Sequence, residues 1–487
     1  MIAISINGVL HKIGTALRRC TSDEIPGYYY YLFGFIAALF VLFYLYYSFS
    51  GWFFQDDISY NFAFNYTKYF QFKNIFVQHS AFRFLSIDCY WFFLHKFFGN
   101  TASLYFIFNL LLLCVNSIIV FFFIRDLSRD GTIALFTAVI YLIMPATIKN
   151  MTWICNNQHL MSHFFAFLFC HIYFNKGGID NLHARKGIFL TLLLLSTLLS
   201  NFLAAFFIPC IIFYHILYWN EVKLRKSNIF FLVFWGLILL GFIIISAKFT
   251  VMLQSPGYGI DISIGTFIKT LQTYSFHIYK NLPLLVITIV LVLAIGIIKK
   301  DKQVIFFIAS SVCFYLPYSF AVFQRNINYL AISYLFYCVS IIILLKKYVR
   351  IPALLLLFFL YNVYNTHTIL KEYSENPAGA KVRIFILQMK EVYTAKGLNK
   401  YKKIYFKTDE VNNYKTGINA IDKTAIPVFW TRLAEGRALH MFLDQNLEYR
   451  VLQNDQEAPR GSPVIIVSKD LYRQEDAGVK RVIMPIQ

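Results

Sequence analysis

Acidic residues are scarce in this chain, with 25 Asp and Glu against 45 Lys and Arg in 487 residues. Charged residues make up only 14% and hydrophobic residues 58%, whereas a soluble chain is roughly a quarter charged. That deficit excludes a single soluble globular domain and a disordered chain. Cysteine is also too thin to build a disulfide framework. Of the eight, Cys114, Cys170, Cys210, Cys313 and Cys338 lie inside apolar runs, Cys20 is near the N-terminus, and the last 121 residues have none. Cys89 and Cys155 alone share a side on which a disulfide could form, and both are read as free thiols. Nucleotide motifs are missing too. There is no P-loop, no GxGxxG and no nucleophile elbow, so cytosolic nucleotide-driven chemistry has no site. The net charge of +20 falls in short clusters between apolar runs, not on the continuous basic face that nucleic-acid binding needs.

What the chain has is apolar length. A helix needs roughly 20 apolar residues to cross a bilayer. Candidate spans are residues 28–50, 103–124, 132–147, 158–174, 188–200, 202–219, 229–248, 283–298, 304–322, 329–345 and 351–366. The run 188–220 is divided in two at Ser200-Asn201, because Lys176, Arg185 and Lys186 precede it and Lys223, Arg225 and Lys226 follow it. Basic flanks on both sides require the chain to cross and return. With eleven spans the N-terminus lies in the cytoplasm and the C-terminus outside. The inner segments then hold 17 Lys and Arg in 66 residues, and nine of the others precede residue 367 on the outer side. The first apolar run begins near Tyr28 and is too long for the core of a cleaved signal.

The expected fold is therefore a polytopic α-helical membrane protein of about 11 spans over residues 1–366, with outer loops 51–102 and 249–282. Phe62, Tyr66, Tyr69 and Phe70 fall at helical spacing within the first loop, as for a helix lying in the interface. A short helix is expected near Ile264–Tyr274 in the second. Residues 367–487 regain charge, with 19 basic and 14 acidic residues. This tail reads as a small α/β domain outside the membrane, with a helix over Lys381–Ala395 and strands at Lys403–Lys407, Pro427–Trp430 and Pro463–Ser468.

The placement of the acids narrows the chemistry. Fourteen lie in the tail and seven in cytoplasmic segments, which leaves Asp56, Asp57, Asp88 and Asp261 on the outer side. No carboxylate sits inside a span, which argues against proton- or sodium-coupled transport. Asp56-Asp57 directly follows the first span. Adjacent carboxylates at a helix start diverge by about 100°, so at most one addresses a given atom. A solvated helix cap is the plainer alternative for the pair. Lys73, His79, Arg83 and Lys96 share that loop, and Arg325 lies in the short outer loop Phe323–Asn328. A base beside several cations at a lipid surface suits sugar transfer from a lipid-linked phosphate: the carboxylate deprotonates the acceptor hydroxyl and the cations stabilise the departing phosphate. For each Arg the plainer alternative is snorkelling at the interface. His159 and His163 have i, i+4 spacing, but no Glu completes HExxH and no third ligand is evident. They read as interface histidines, and no metal site is expected.

Phe54-Gln-Asp-Asp-Ile-Ser59, Phe82-Arg-Phe-Leu-Ser-Ile87, Leu199-Ser-Asn-Phe-Leu-Ala-Ala205 with Pro209, and Gln324-Arg-Asn-Ile-Asn-Tyr329 give the chain a familiar outline. It resembles the membrane-embedded GT-C glycosyltransferases, and within them the serotype-converting O-antigen glucosyltransferases of bacteriophages and enterobacteria. Ser200-Asn201 stands where several relatives carry a Lys-Glu pair, and Phe82 and Phe84 flank Arg83 where Gly and Pro would stand. The resemblance implies an inverting, metal-independent transfer of glucose from undecaprenyl phosphate glucose to a hydroxyl of lipid-linked O-antigen repeats. The site would be on the periplasmic face of the bacterial inner membrane. A cytoplasmic synthase for the lipid-linked glucose and a small flippase would be its functional partners. Asp57 or Asp56 would be the base, Arg83 and Arg325 would hold the donor phosphate, and His79, Tyr60, Asp88 and Trp153 are further candidates for substrate contact. An O-antigen polymerase or ligase, or a lipid or solute transporter, are the alternatives.

Overall fold

A computed structural model describes residues 27–53, 83–175, 182–219, 221, 225–249, 263–278, 282–319, 327–349, 352–375, 380–395, 402–408, 439, 448–451, 459 and 462–467. The chain is helical in its described elements up to residue 395. It begins with α1 (Gly27–Ser50), then after a π-helical turn at Phe84–Cys89 come α2 (Tyr90–Phe98), α3 (Ala102–Ser128), α4 (Gly131–Ile143), α5 (Pro145–Met151) and α6 (Asn157–Phe174). Next are α7 (Ala184–Asn201), α8 (Phe207–Leu217), α9 (Lys226–Phe249), α10 (Ile264–Ile278), α11 (Leu282–Ile298) and α12 (Lys302–Ser319). The series closes with α13 (Ala331–Leu344), α14 (Pro352–Glu375) and α15 (Ala380–Ala395).

Among the described residues, three helices are long and apolar enough to cross a membrane: Ala102–Ser128, Lys226–Ile245 and Asn328–Val349. A fourth counts if α4 and α5, bent by 48° across Met144, form one span. The chain is thus a helical membrane protein. The three helices sit at different depths in the bundle. The Asn328–Val349 window is 83% buried by protein, Ala102–Ser128 50% and Lys226–Ile245 22%. α13 is accordingly the central post, packed against α4 and α12. α9 is peripheral, with Phe230, Val233, Leu237, Leu240 and Ile244 exposed at helical spacing, a stripe suited to lipid contact.

Polar side chains cross-link the buried helices. Asn116 of α3 donates to the Leu160 carbonyl of α6 at 2.8 Å, and Ser117 to Ala138 of α4 at 2.7 Å. Ser311 of α12 and Ser333 of α13 donate to each other's carbonyls, both at 2.8 Å. Between helices that lipid cannot drive together, such links and close packing supply the association energy.

The apolar run 132–147 predicts one helix, but the chain breaks at Pro145. Proline has no N–H for the carbonyl of Tyr141 and disfavours a helical Met144, whose ψ is 147°. The carbonyls so freed all find hydroxyls. Thr147 donates to Tyr141 at 2.6 Å, Tyr44 of α1 to Leu142 at 3.0 Å, and Thr366 of α14 to Ile143. A carbonyl left without a donor in a bilayer costs several kcal/mol. Tyr44→Phe and Thr366→Val are each expected to destabilise the protein by about 1–3 kcal/mol. Thermal unfolding in detergent measures this, and unchanged midpoints would count against the account.

At one end of the bundle the connections before α4, before α12 and after α13 meet. Asp130 caps α4 by accepting from the backbone of Thr132 and Ile133, and also binds Lys346 at 2.5 Å. Asp301 caps α12 in the same way and takes Lys347 at 3.1 Å and the Tyr348 hydroxyl at 2.7 Å. Gln303 reaches the Ser128 carbonyl at 3.2 Å. Burial works against the Asp301 carboxylate, but Tyr348, the Val304 N–H and Lys347 outweigh it and hold its pKa below the ordinary value.

Beyond the bundle, β1 (Lys403–Thr408) lies between β2 (Glu448–Val451) and β3 (Val464–Val467) in a parallel sheet. Register pairs Ile404 with Tyr449 and Phe406 with Ile465. α15 covers this sheet: Phe385, Ile386 and Met389 are buried, and the Phe385 ring lies 6.3 Å from that of Phe406. β2 has no counterpart among the predicted strands. Its Glu-Tyr-Arg-Val alternation is four residues long and half charged, too little for periodicity to show. The predicted strand at Pro427–Trp430 and the interfacial helix around Phe62–Phe70 lie outside the described residues.

Candidate functional site

At the end of the bundle away from Asp130, segments distant in sequence converge. The described residues on either side of the stretch 54–82 are held in the bundle. At its start Gly51 lies so close to Phe106 that a Cβ there would be 2.7 Å from the ring, and buried Phe53 packs edge-on to Tyr105 at 5.4 Å. At its end Arg83 opens the π-helical turn Phe84–Cys89, which inserts between α6 and α7. Ser86 of that turn donates to the Ser200 carbonyl at 2.7 Å, while Asn157 at the start of α6 donates to the Ser86 carbonyl at 2.8 Å. A π-helical turn is uncommon and concentrates at functional sites. Here Ser86 ties it to the end of α7 and Asn157 ties it to the start of α6.

That break falls at Asn201, the expected turn. Its backbone is extended, and its side-chain oxygen accepts from the Leu203 N–H at 3.2 Å. With the oxygen so engaged, the amide nitrogen faces His159 and lies 3.1 Å from Nδ1. His159 in turn meets the Tyr329 ring edge-on at 5.0 Å, and Tyr329 lies over Tyr318 at 5.2 Å. Arg83 is within electrostatic reach of both His159 and Tyr318. His159, Ser162, His163, Asn201, Tyr318 and Tyr329 line a cavity with room for about one water molecule. From the next connection, Asn328 donates to Asn156 and its carbonyl accepts from Asn150, both at 3.4 Å.

Of the residues singled out in the sequence, Arg83, Asp88 and Trp153 are described. Arg83 lies at the convergence. Trp153 is half-buried in the connection between α5 and α6, beside the asparagines that receive Asn328. Asp56, Asp57, Tyr60, His79 and Arg325 lie outside the described residues. The histidine pair corrects the reading from sequence: His159 and His163 are 2% and 4% exposed, inside the bundle rather than at its interface. Both are retained by hydrogen bonds, His159 from Asn201 and His163 with the Tyr141 hydroxyl at 2.9 Å. Sequence reasoning passed over His159, Asn157, Asn201 and Tyr329 as site residues. The available signal was a polar residue at the mouth of an otherwise apolar span, where burying it requires a reason. Among the described residues no group of three or more His, Cys, Asp or Glu could hold a metal ion.

Asp88 is 3% exposed and its Oδ2 has no hydrogen-bond partner among the described residues. Burial pushes its pKa up to about 7, the hydrogen bond to its own backbone N–H opposing weakly. A carboxyl whose folded pKa is raised holds its proton more tightly than the unfolded chain does. Stability therefore falls as pH rises from about 4 to about 7 and is level above that. Asp88→Asn is expected to raise the unfolding temperature at pH 8 and to change it little at pH 4.5. An equal effect at both pH values would contradict this assignment.

Comparison of the chain with protein-family models, curated proteins and solved structures finds no match in any of the three.

Proposed function

We propose that the protein is an inverting glycosyltransferase. It would move a glucosyl group from undecaprenyl phosphate glucose to a hydroxyl of lipid-linked O-antigen repeats at the periplasmic face of the bacterial inner membrane. One observation supports the reading: the described parts of three of the four segments that carry the resemblance meet, the turn that follows Arg83 lying against Ser200, and Asn201 and Tyr329 lining one cavity with His159. Ser86 holds Ser200, and His159 touches both Asn201 and Tyr329. In this reading the carboxylate of Asp57 or Asp56 takes the proton of the acceptor hydroxyl as it attacks the anomeric carbon. The bond to the phosphate oxygen breaks on the opposite face, and Arg83 with Arg325 stabilises the departing phosphate. About eleven spans, a cytoplasmic N-terminus and a periplasmic unit built on α15 and the β-sheet belong to the same proposal.

The test is the sugar composition and linkage of lipopolysaccharide from cells expressing the protein together with a lipid-linked glucose synthase and a flippase. A new side-branch glucose is the expected result. Unchanged polymer across several O-antigen hosts would overturn the proposal in favour of polymer assembly or transport.

A further inference from the structure

The two histidines of the cavity are each held by a hydrogen bond at Nδ1, and for His159 that bond fixes the tautomer. The oxygen of Asn201 is committed to the Leu203 N–H, so the group facing His159 Nδ1 is the amide nitrogen. An amide nitrogen only donates. Nδ1 must therefore accept, and a neutral His159 carries its proton on Nε2. That Nε2–H is buried and has no partner among the described residues. His163 is held at Nδ1 by a hydroxyl. Tyr141 accepts from Asn116 Nδ2 at 3.4 Å, and its hydroxyl lies 2.9 Å from His163 Nδ1, an arrangement in which the hydroxyl proton is available to that nitrogen. With that proton on the hydroxyl, the second ring would also be an Nε2–H donor. The rings lie 6.4 Å apart, centroid to centroid, on one wall of the same cavity, and its described lining contains no carboxylate.

Such a pair presents N–H groups where a metal would need lone pairs. Ligation through His159 Nε2 would move the proton to Nδ1, against the Asn201 amide hydrogens. Turning that amide over would abandon the Leu203 N–H. The cavity is built to take an acceptor, and Arg83 nearby favours an anionic one. We infer that His159 and His163 form a two-donor seat for one oxygen of a phosphate group, the headgroup of the lipid-linked substrate. Asn201 and Tyr141 act as positioning residues that hold each ring with Nε2–H toward the cavity. The inference rests on the proposed transferase reading for the identity of the headgroup, and on the hydrogen bonds for everything else.

The test uses the full chain in lipid nanodiscs, titrated with decaprenyl phosphate, decaprenol, phosphatidylglycerol and inorganic phosphate. The wild type is expected to prefer decaprenyl phosphate over all three. His159→Ala is expected to weaken that binding roughly ten- to hundredfold, the value of a hydrogen bond to a charged group. His159→Gln, whose amide can place an N–H near the ring Nε2 position, should recover much of the loss. Nitrogen-15 spectra of histidine-labelled wild type read the seat without any substitution. The His159 signal should be that of the Nε2–H tautomer, and should move with decaprenyl phosphate but not with decaprenol. Unchanged affinity in His159→Ala and His163→Ala, with binding lost in Arg83→Ala, would overturn the seat and leave the transferase reading standing. Equal competition by phosphatidylglycerol or inorganic phosphate would overturn the assignment to a lipid-linked substrate. Histidine-dependent binding in a protein that adds no sugar to any O-antigen would keep the seat and remove the transferase.

Discussion

Lipopolysaccharide from cells carrying Asp57→Asn or Asp56→Asn is expected to lose the added sugar with one of the two substitutions and keep it with the other. A general base contributes about 10²–10⁴-fold to a rate, so loss of the true base empties the branch over a normal growth period. The asymmetry follows from geometry. Neighbouring carboxylates on a helical start point about 100° apart, and only one can face the acceptor hydroxyl. The other, as a cap, loses little on becoming Asn, which ranks beside Asp at helix N-caps. Asn is close to Asp in shape, so membrane abundance should hold in both variants, and a blot of the membrane fraction checks it. Equal, full activity in both variants and in the double variant would remove the acidic pair from the mechanism.

The second large effect is expected at Arg83. Arg83→Ala should lower transfer by about 10²–10³-fold, comparable to removing one preorganised donor from a developing charge. Arg83→Lys should restore part of it, since a point charge remains but the planar fork that grips two phosphate oxygens does not. The structural setting makes the two outcomes separable. Arg83 opens the π-helical turn whose Ser86 is bonded to Ser200 and Asn157, so the turn keeps its anchors when the guanidinium is removed. Transfer rates in isolated membranes, with the donor concentration varied, distinguish a binding defect from a slowed bond cleavage. A rate within twofold of the parent for Arg83→Ala would return Arg83 to the role of an interface residue.

The membrane character and most helix positions follow from hydropathy alone, because long apolar runs have no other stable outcome. α1, α3, α9 and α11 occupy runs expected to be spans, and α10 and α15 match their expected ranges within a few residues. Asn201 was visible as a break because a polar pair interrupts 33 nearly uncharged residues. The kink at Pro145 was hidden by the run around it, where composition stays apolar on both sides. Its support is hidden more deeply, since the hydroxyls of Tyr44 and Thr366 reach it from helices about a hundred and more than two hundred residues away. The site was readable only where charge marked it. Arg83 stood out as a cation beside an acidic pair, whereas His159 looked like an interface residue, because a lone imidazole carries no sign of the amide that will orient it.

The support at Pro145 also has a consequence for how the protein is made. Leu142 and Ile143 emerge from the ribosome long before Thr366, and until α14 packs against the kink the Ile143 carbonyl lacks its hydroxyl donor. The bundle therefore closes late in synthesis. A chain truncated before residue 366 would keep the break at Pro145 but lose one of the three hydroxyls that satisfy its carbonyls.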